Sequence, residues 1–183
     1  MKNGGGVYVW HVKKIQASQC GNKARLGVIL RNCELDQSYR RSHFANRAWF
    51  MDEDGDVWNG DALQAKGTAF WNQNSVVTFR LDDSTPGERE LSLYVRYMQS
   101  EDWEQQLAFN SVPLPPPCAV IRDLPPGKEM YPFVQDYYSG SGFEVSQVTT
   151  LSVDEEGRKQ FAAILGQADT LLNELCPPEP KPQ

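Results

Sequence analysis

The chain has 183 residues, 40% hydrophobic and 23% charged, with a formal net charge of −6. This is an ordinary globular composition, long enough for one self-stabilising domain with an appendage. The acidic balance argues against general nucleic-acid binding, which needs a basic surface to neutralise phosphates. No run approaches the roughly 18 consecutive apolar residues that cross a bilayer.

The chain opens on Met1-Lys2-Asn3-Gly4-Gly5-Gly6 and passes straight into alternating residues. No signal peptide is read there, and a cytoplasmic setting is expected. Val7 to Ala17 reads as a first strand, with apolar groups on both faces at its start. Arg25 to Cys33 is a second, with Leu26, Val28 and Leu30 inward. The polar stretch from Glu34 to Asn46 is too long for a tight hairpin and suits a crossover between sheets or a functional loop.

Ala48 to Met51 and Val57 to Trp58 flank Asp52-Glu53-Asp54-Gly55-Asp56. Asp-Gly between apolar runs signals a hairpin, because glycine accepts the positive φ that the turn demands. Further strands are expected over Gly67 to Trp71, Ser75 to Leu81, Arg89 to Met98 and Leu107 to Val112. The third of these is the clearest. Leu91, Leu93, Val95 and Tyr97 share one face, while Glu90, Ser92, Tyr94 and Arg96 share the other. That period of two fits a strand between a core and water.

Pro113-Leu114-Pro115-Pro116-Pro117 ends this series, since proline lacks the N–H that a ladder uses. Cys118 to Asp123 allows one short strand more. Met130 to Tyr138 and Phe143 to Thr150 read as a hairpin around Ser139-Gly140-Ser141-Gly142. The last element is a helix with Ser152 as its cap and Glu155 three residues later. Phe161, Ile164, Leu165, Ala168, Leu171, Leu172 and Leu175 recur along it at helical spacing. The expected fold is mostly β: an antiparallel β-sandwich of immunoglobulin or C2-like type, with about eight strands, an appended β-hairpin and one C-terminal α-helix. The expected organisation is a sandwich domain over 1–114, an extension carrying hairpin and helix over 115–176, and a disordered tail over 177–183.

Cys20, Cys33, Cys118 and Cys176 lie far apart with no Cys-x-x-Cys pair, and there are only two histidines. A structural zinc site is not expected, and the cysteines read as thiols in a reducing compartment, with Cys20–Cys33 the pair available on export. Asp52, Asp54 and Asp56, with Asp61, could place several carboxylate oxygens around calcium. The spacing differs from an EF-hand, but the run resembles the Asp-rich loops of C2 domains, which pair with acids on a neighbouring loop. That resemblance implies Asp82 and Asp83 as the second loop. The plain reading is a hairpin with flanking acids.

His43-Phe44-Ala45-Asn46-Arg47 and Trp58-Asn59-Gly60-Asp61 together resemble the sugar-binding set of galectins. That family uses a His-x-Asn-x-Arg run and a Trp-x-x-Glu run on one sheet of a β-sandwich. The resemblance implies Trp58 stacking on a sugar ring while His43 and Arg47 take its hydroxyls. Here the asparagine stands one place late and Asp61 replaces the glutamate. The alternative is that Phe44 and Trp58 are packing residues and His43 is a loop imidazole.

Tyr131, Phe133, Tyr137, Tyr138 and Phe143 crowd the expected second hairpin and would anchor a partner if exposed. His11 reads as a satisfied core histidine. No nucleophile–base set and no glycine-rich phosphate loop is apparent, and no cofactor is implied. The sequence therefore predicts a non-enzymatic interaction module for a protein partner. The alternatives are a lectin-like or calcium-dependent ligand-binding module, with a glycan or small molecule as ligand, and a hydrolase using dispersed carboxylates.

Overall fold

In the computed structural model the described residues are 5–16, 24–31, 33, 44–67, 75–97, 116–136, 142–152, 154, 156, 157, 159–161 and 163. Eleven strands are described: β1 (Val7–Gln16), β2 (Arg25–Leu30), β3 (Ala48–Asp52), β4 (Val57–Asn59), β5 (Ala62–Ala65), β6 (Ser75–Asp82), β7 (Glu90–Tyr97), β8 (Ala119–Ile121), β9 (Met130–Gln135), β10 (Gly142–Val145) and β11 (Thr149–Leu151). They form two antiparallel sheets. One runs β10-β1-β6-β7-β8, with β11 also paired to β1; the other runs β5-β4-β3-β2-β9. The fold is thus a mostly β, antiparallel sandwich, as the alternation predicts.

The period of two sets the core. Trp10 and Val12 of β1, Phe79 of β6, and Leu91, Leu93 and Val95 of β7 meet Leu26 and Val28 of β2 and Trp49 and Met51 of β3 between the sheets. Trp10 and Phe79 are register partners and stack with centroids 5.0 Å apart at an interplanar angle of 4°. Leu26 and Val28 are fully buried, as their inward placement requires.

Three expectations need correction. The face of β7 expected to meet water is covered: Ser92 and Tyr94 are buried, and Phe161 packs edge-on against Tyr94 with centroids 5.2 Å apart. Phe161 lies in the short helical segment near the described end of the chain. With Val7, Val9 and Leu151 it makes a small core outside the sheet. The expected second hairpin is not formed. β9 pairs with β2 in one sheet, whereas β10 and β11 pair with β1 in the other, so 130–151 spans the sandwich. Third, β5 is a strand where none was expected.

The expected strand over Leu107 to Val112 lies outside the described residues, as do most of Gly67 to Trp71, the helix beyond 163 and the tail. Among the described residues no helix is long and apolar enough to cross a membrane.

Candidate interaction surface on the outer face of the five-stranded sheet

Side chains alternate across a sheet, so the strand registers show which residues share the outer face. Gly27 of β2 is paired with Phe133 of β9 on one side and with Phe50 of β3 on the other. Phe50 in turn is paired with Trp58 of β4, and Trp58 with Leu63 of β5. One row therefore crosses the whole sheet: Phe133, Gly27, Phe50, Trp58, Leu63. On one side of it lies a polar row of Gln135, Arg25 and Asp52; on the other lie Tyr131, Ile29 and Ala48.

The middle of this face is itself a packed layer. Phe44, Phe50 and Phe133 are buried, with Phe44–Phe133 centroids at 5.5 Å and Phe50–Phe133 at 6.1 Å, both tilted. The Arg25 guanidinium lies 5.2 Å from the Phe50 ring centre and donates to Gln135 Oε1 at 2.9 Å. Such a cation over an aromatic face adds about 0.5–1 kcal/mol where it is exposed. The two flanks stay open. Tyr131 is 40% exposed at the β9 side, and Leu63 is 43% exposed beside half-buried Trp58 at the β5 side.

The acidic hairpin positions Trp58. Gly55 supplies the left-handed turn with φ of 82°. Asp52 Oδ1 accepts the Asp54 and Asp56 backbone N–H groups at 3.2 and 3.0 Å, and its Oδ2 accepts Trp58 Nε1 at 2.8 Å. Asp56 accepts the Gly67 N–H at 2.9 Å and pairs with Lys66 at 2.7 Å. The carboxylates of Asp52 and Asp56 are therefore spent on the turn itself, Asp54 is exposed, and no group of three metal-binding side chains gathers among the described residues. Asp52→Ala should cost about 2 kcal/mol, because it orphans three donors, one of them the indole N–H. Red-shifted tryptophan fluorescence and a lower urea midpoint would report it; an unchanged midpoint would mean that water replaces the carboxylate.

The remaining predicted residues are dispersed. Tyr131 donates to Glu129 Oε1 at 2.8 Å, and Glu129 also holds Arg31 at 2.7 Å. Phe133 is buried, and Phe143 packs half-buried against the central core from β10. Arg47 is exposed, next to Asn46, which adopts a positive φ of 54°. His43, Tyr137 and Tyr138 lie outside the described residues. His11 is half-buried on the outer face of β1, but its Nδ1 is buried without a hydrogen bond, so it is not the satisfied histidine expected. Burial pushes its imidazole below the ordinary histidine range, with Glu144 pulling the other way. Cys33 and Cys118 are thiols, and burial pushes that of Cys118 up to about 11.

A cleft of about 380 Å³ opens at the β6–β7 turn, between Asp82, Arg89, Glu90 and Arg122. Two of its acids are held by guanidinium groups: Asp82 by Arg80 at 2.7 Å and Glu90 by Arg122 at 3.0 Å. Burial raises the Asp82 carboxyl, but Ser84 and Arg80 outweigh it and hold the group below the usual aspartate range. A general acid needs the opposite shift.

Sequence reasoning missed Leu63 and β5. The signal was present as Asn59-Gly60-Asp61, a turn-forming run between apolar Val57-Trp58 and Ala62-Leu63. Gly60 has φ of 58°, and a Cβ there would stand 2.4 Å from the Ala45 backbone. Only glycine suits that turn.

No protein-family description and no curated protein matches the chain. Among solved structures it is similar to the SPRY domain of human HERC1, with a TM-score of 0.50 over 82% of this chain and 78% of that one. The identity is 16%, so the likeness is one of fold: both chains are β-sandwiches.

Proposed function

We propose that the chain is a non-enzymatic module that binds a protein partner through the open β4–β5 flank of its five-stranded sheet. The observation that carries this reading is the pairing of half-buried Trp58 with exposed Leu63 on a turn held by Asp52. The indole N–H is already bonded, which leaves its ring as apolar contact area. Tryptophan on a rigid support is the residue type that most often dominates a protein interface. The fold supports the same reading, since the SPRY domain is a protein-interaction β-sandwich. Tyr131, exposed on the opposite flank, is a second contact residue of this reading. We place the module in the cytosol, where the thiols of Cys33 and Cys118 would persist.

Affinity capture with the wild-type chain and Leu63→Asp tests it. Leu63 is exposed, so the variant should melt as the wild type does and lose the captured partner. An identical set of captured proteins from both would overturn the assignment of this flank.

A further inference from the structure

The binding mode follows from how the sandwich treats its open edges. A sheet edge offers unpaired N–H and C=O groups to any passing strand, and proteins block such edges with proline, charge, bulges or brevity. Among the described residues the two sheets have four edges. β9 contains Pro132, which cannot donate to a ladder. The edge formed by β10 and β11 is interrupted at Ser146, whose Oγ accepts the His11 N–H at 2.9 Å, and it carries exposed Glu144. β8 is three residues long, with Pro116 and Pro117 before it and Pro125 and Pro126 after it. The fourth edge is β5, Ala62–Ala65, which has no proline and no charge within it; its one irregularity is a register shift against β4, where Gln64 stands between the Leu63–Trp58 and Ala65–Val57 pairs. All four of its residues are exposed, and among the described residues it pairs only with β4.

We propose that the partner binds by strand addition: an extended segment of another protein lies along β5, sets an apolar side chain against Leu63 and Trp58, and places a lysine or arginine near exposed Asp54. This rests on the reading of the chain as a protein-binding module. Charge selects the basic residue. At the far end of β5 Lys66 pairs with Asp56 at 2.7 Å, exposed Asp54 in the adjoining turn is left to face solvent, and the whole chain carries −6. A potential of that sign favours and steers a basic partner. A second copy of the chain is a poor occupant. It brings the same negative charge, and a four-residue edge buries far less than the roughly 1,000 Å² that a stable pair of proteins needs. A short peptide needs no such area when main-chain hydrogen bonds supply affinity and alternate side chains supply choice.

Phage-displayed random nonapeptides panned on the whole chain test the proposal. Enriched peptides should lack proline, carry β-branched or aromatic residues at the centre and end in lysine or arginine. N-methylation of alternate backbone nitrogens in the synthetic peptide should weaken binding about tenfold or more at every second position, because each removes one ladder bond. Asp54→Lys should weaken the same peptide by a similar factor. N-methylation without a position-dependent effect, or amide shifts that avoid 61–66, would overturn strand addition while leaving the module intact. No enrichment over an unrelated β-sandwich would also overturn it, and the capture experiment with Leu63→Asp then decides the module separately.

Discussion

Lys14→Met is expected to destabilise the chain by about 3–5 kcal/mol, and Lys14→Met combined with Glu53→Leu to restore most or all of that loss. Lys14 lies on the same side of β1 as Trp10 and Val12, so its ammonium enters the end of the inter-sheet core. There it meets Glu53, which sits in the β3–β4 turn of the opposite sheet, and the two form a buried ion pair. Their side chains are 4% and 1% exposed. Removing one partner strands the other charge without water, whereas removing both leaves an apolar contact of similar volume. Glu53 Oε2 has no hydrogen bond, which makes the pair costlier still to keep. Urea midpoints of the two single variants and the double variant form the cycle. A double variant as unstable as Lys14→Met would show that the pair does not act as a unit.

The same pair predicts a pH dependence. Burial pushes the Glu53 carboxyl above the ordinary glutamate range, and Lys14 pulls it only part of the way back; Asp136 and Asp54 push upward as well. The folded chain therefore binds a proton at Glu53 more readily than the unfolded chain does. This group's contribution is fully present below the unfolded glutamate value of about 4.3 and is lost as pH rises through the higher folded value. The double variant should lack that component of the slope. Because Glu53 is in the turn that holds Trp58, the ion pair also ties the proposed binding flank to the opposite sheet.

Lys14 marks where sequence reading reaches its limit. Alternation along β1 is legible as far as Val12, and then a lysine occupies a core-facing position where it forms a buried ion pair with Glu53. That partner lies 39 residues away on another strand turn, which no local pattern reports. The same holds for Ser92 and Tyr94. Their polar character predicts water, yet both are buried and Phe161 packs on Tyr94, and a contact so distant in the chain leaves no periodic trace in the strand. By contrast, Leu26, Val28, Leu91 and Leu93 were readable because burial there is decided by the pleat alone. Trp58 was readable as an aromatic, and Phe133 too. Their meeting with Phe50 on one face depends on β9 pairing with β2, a contact across 100 residues of chain.

Gly27 is the residue on which that face depends most directly, and Gly27→Ala is expected to cost about 3 kcal/mol or more. It sits mid-strand in β2, where glycine would ordinarily count as a weakness. Its neighbours explain it. A Cβ at Gly27 would stand 2.0 Å from the Trp49 carbonyl oxygen and 2.7 Å from the Phe50 Cα, both backbone atoms of the adjacent strand. Neither can swing aside as the end of a flexible side chain could. Accommodation would have to move β3 away from β2, loosening the register that puts Phe50 between Gly27 and Trp58. Overpacking of this kind costs about 1–3 kcal/mol where side chains yield, and more where backbone must. For a chain of this length that corresponds to a melting temperature lower by roughly 6 °C or more. The loss should extend to binding, because Trp58 and Leu63 hang from the same row. A Gly27→Ala chain that melts with the wild type would show that β2 and β3 are not so closely apposed, and the row from Phe133 to Leu63 would no longer account for the open flank.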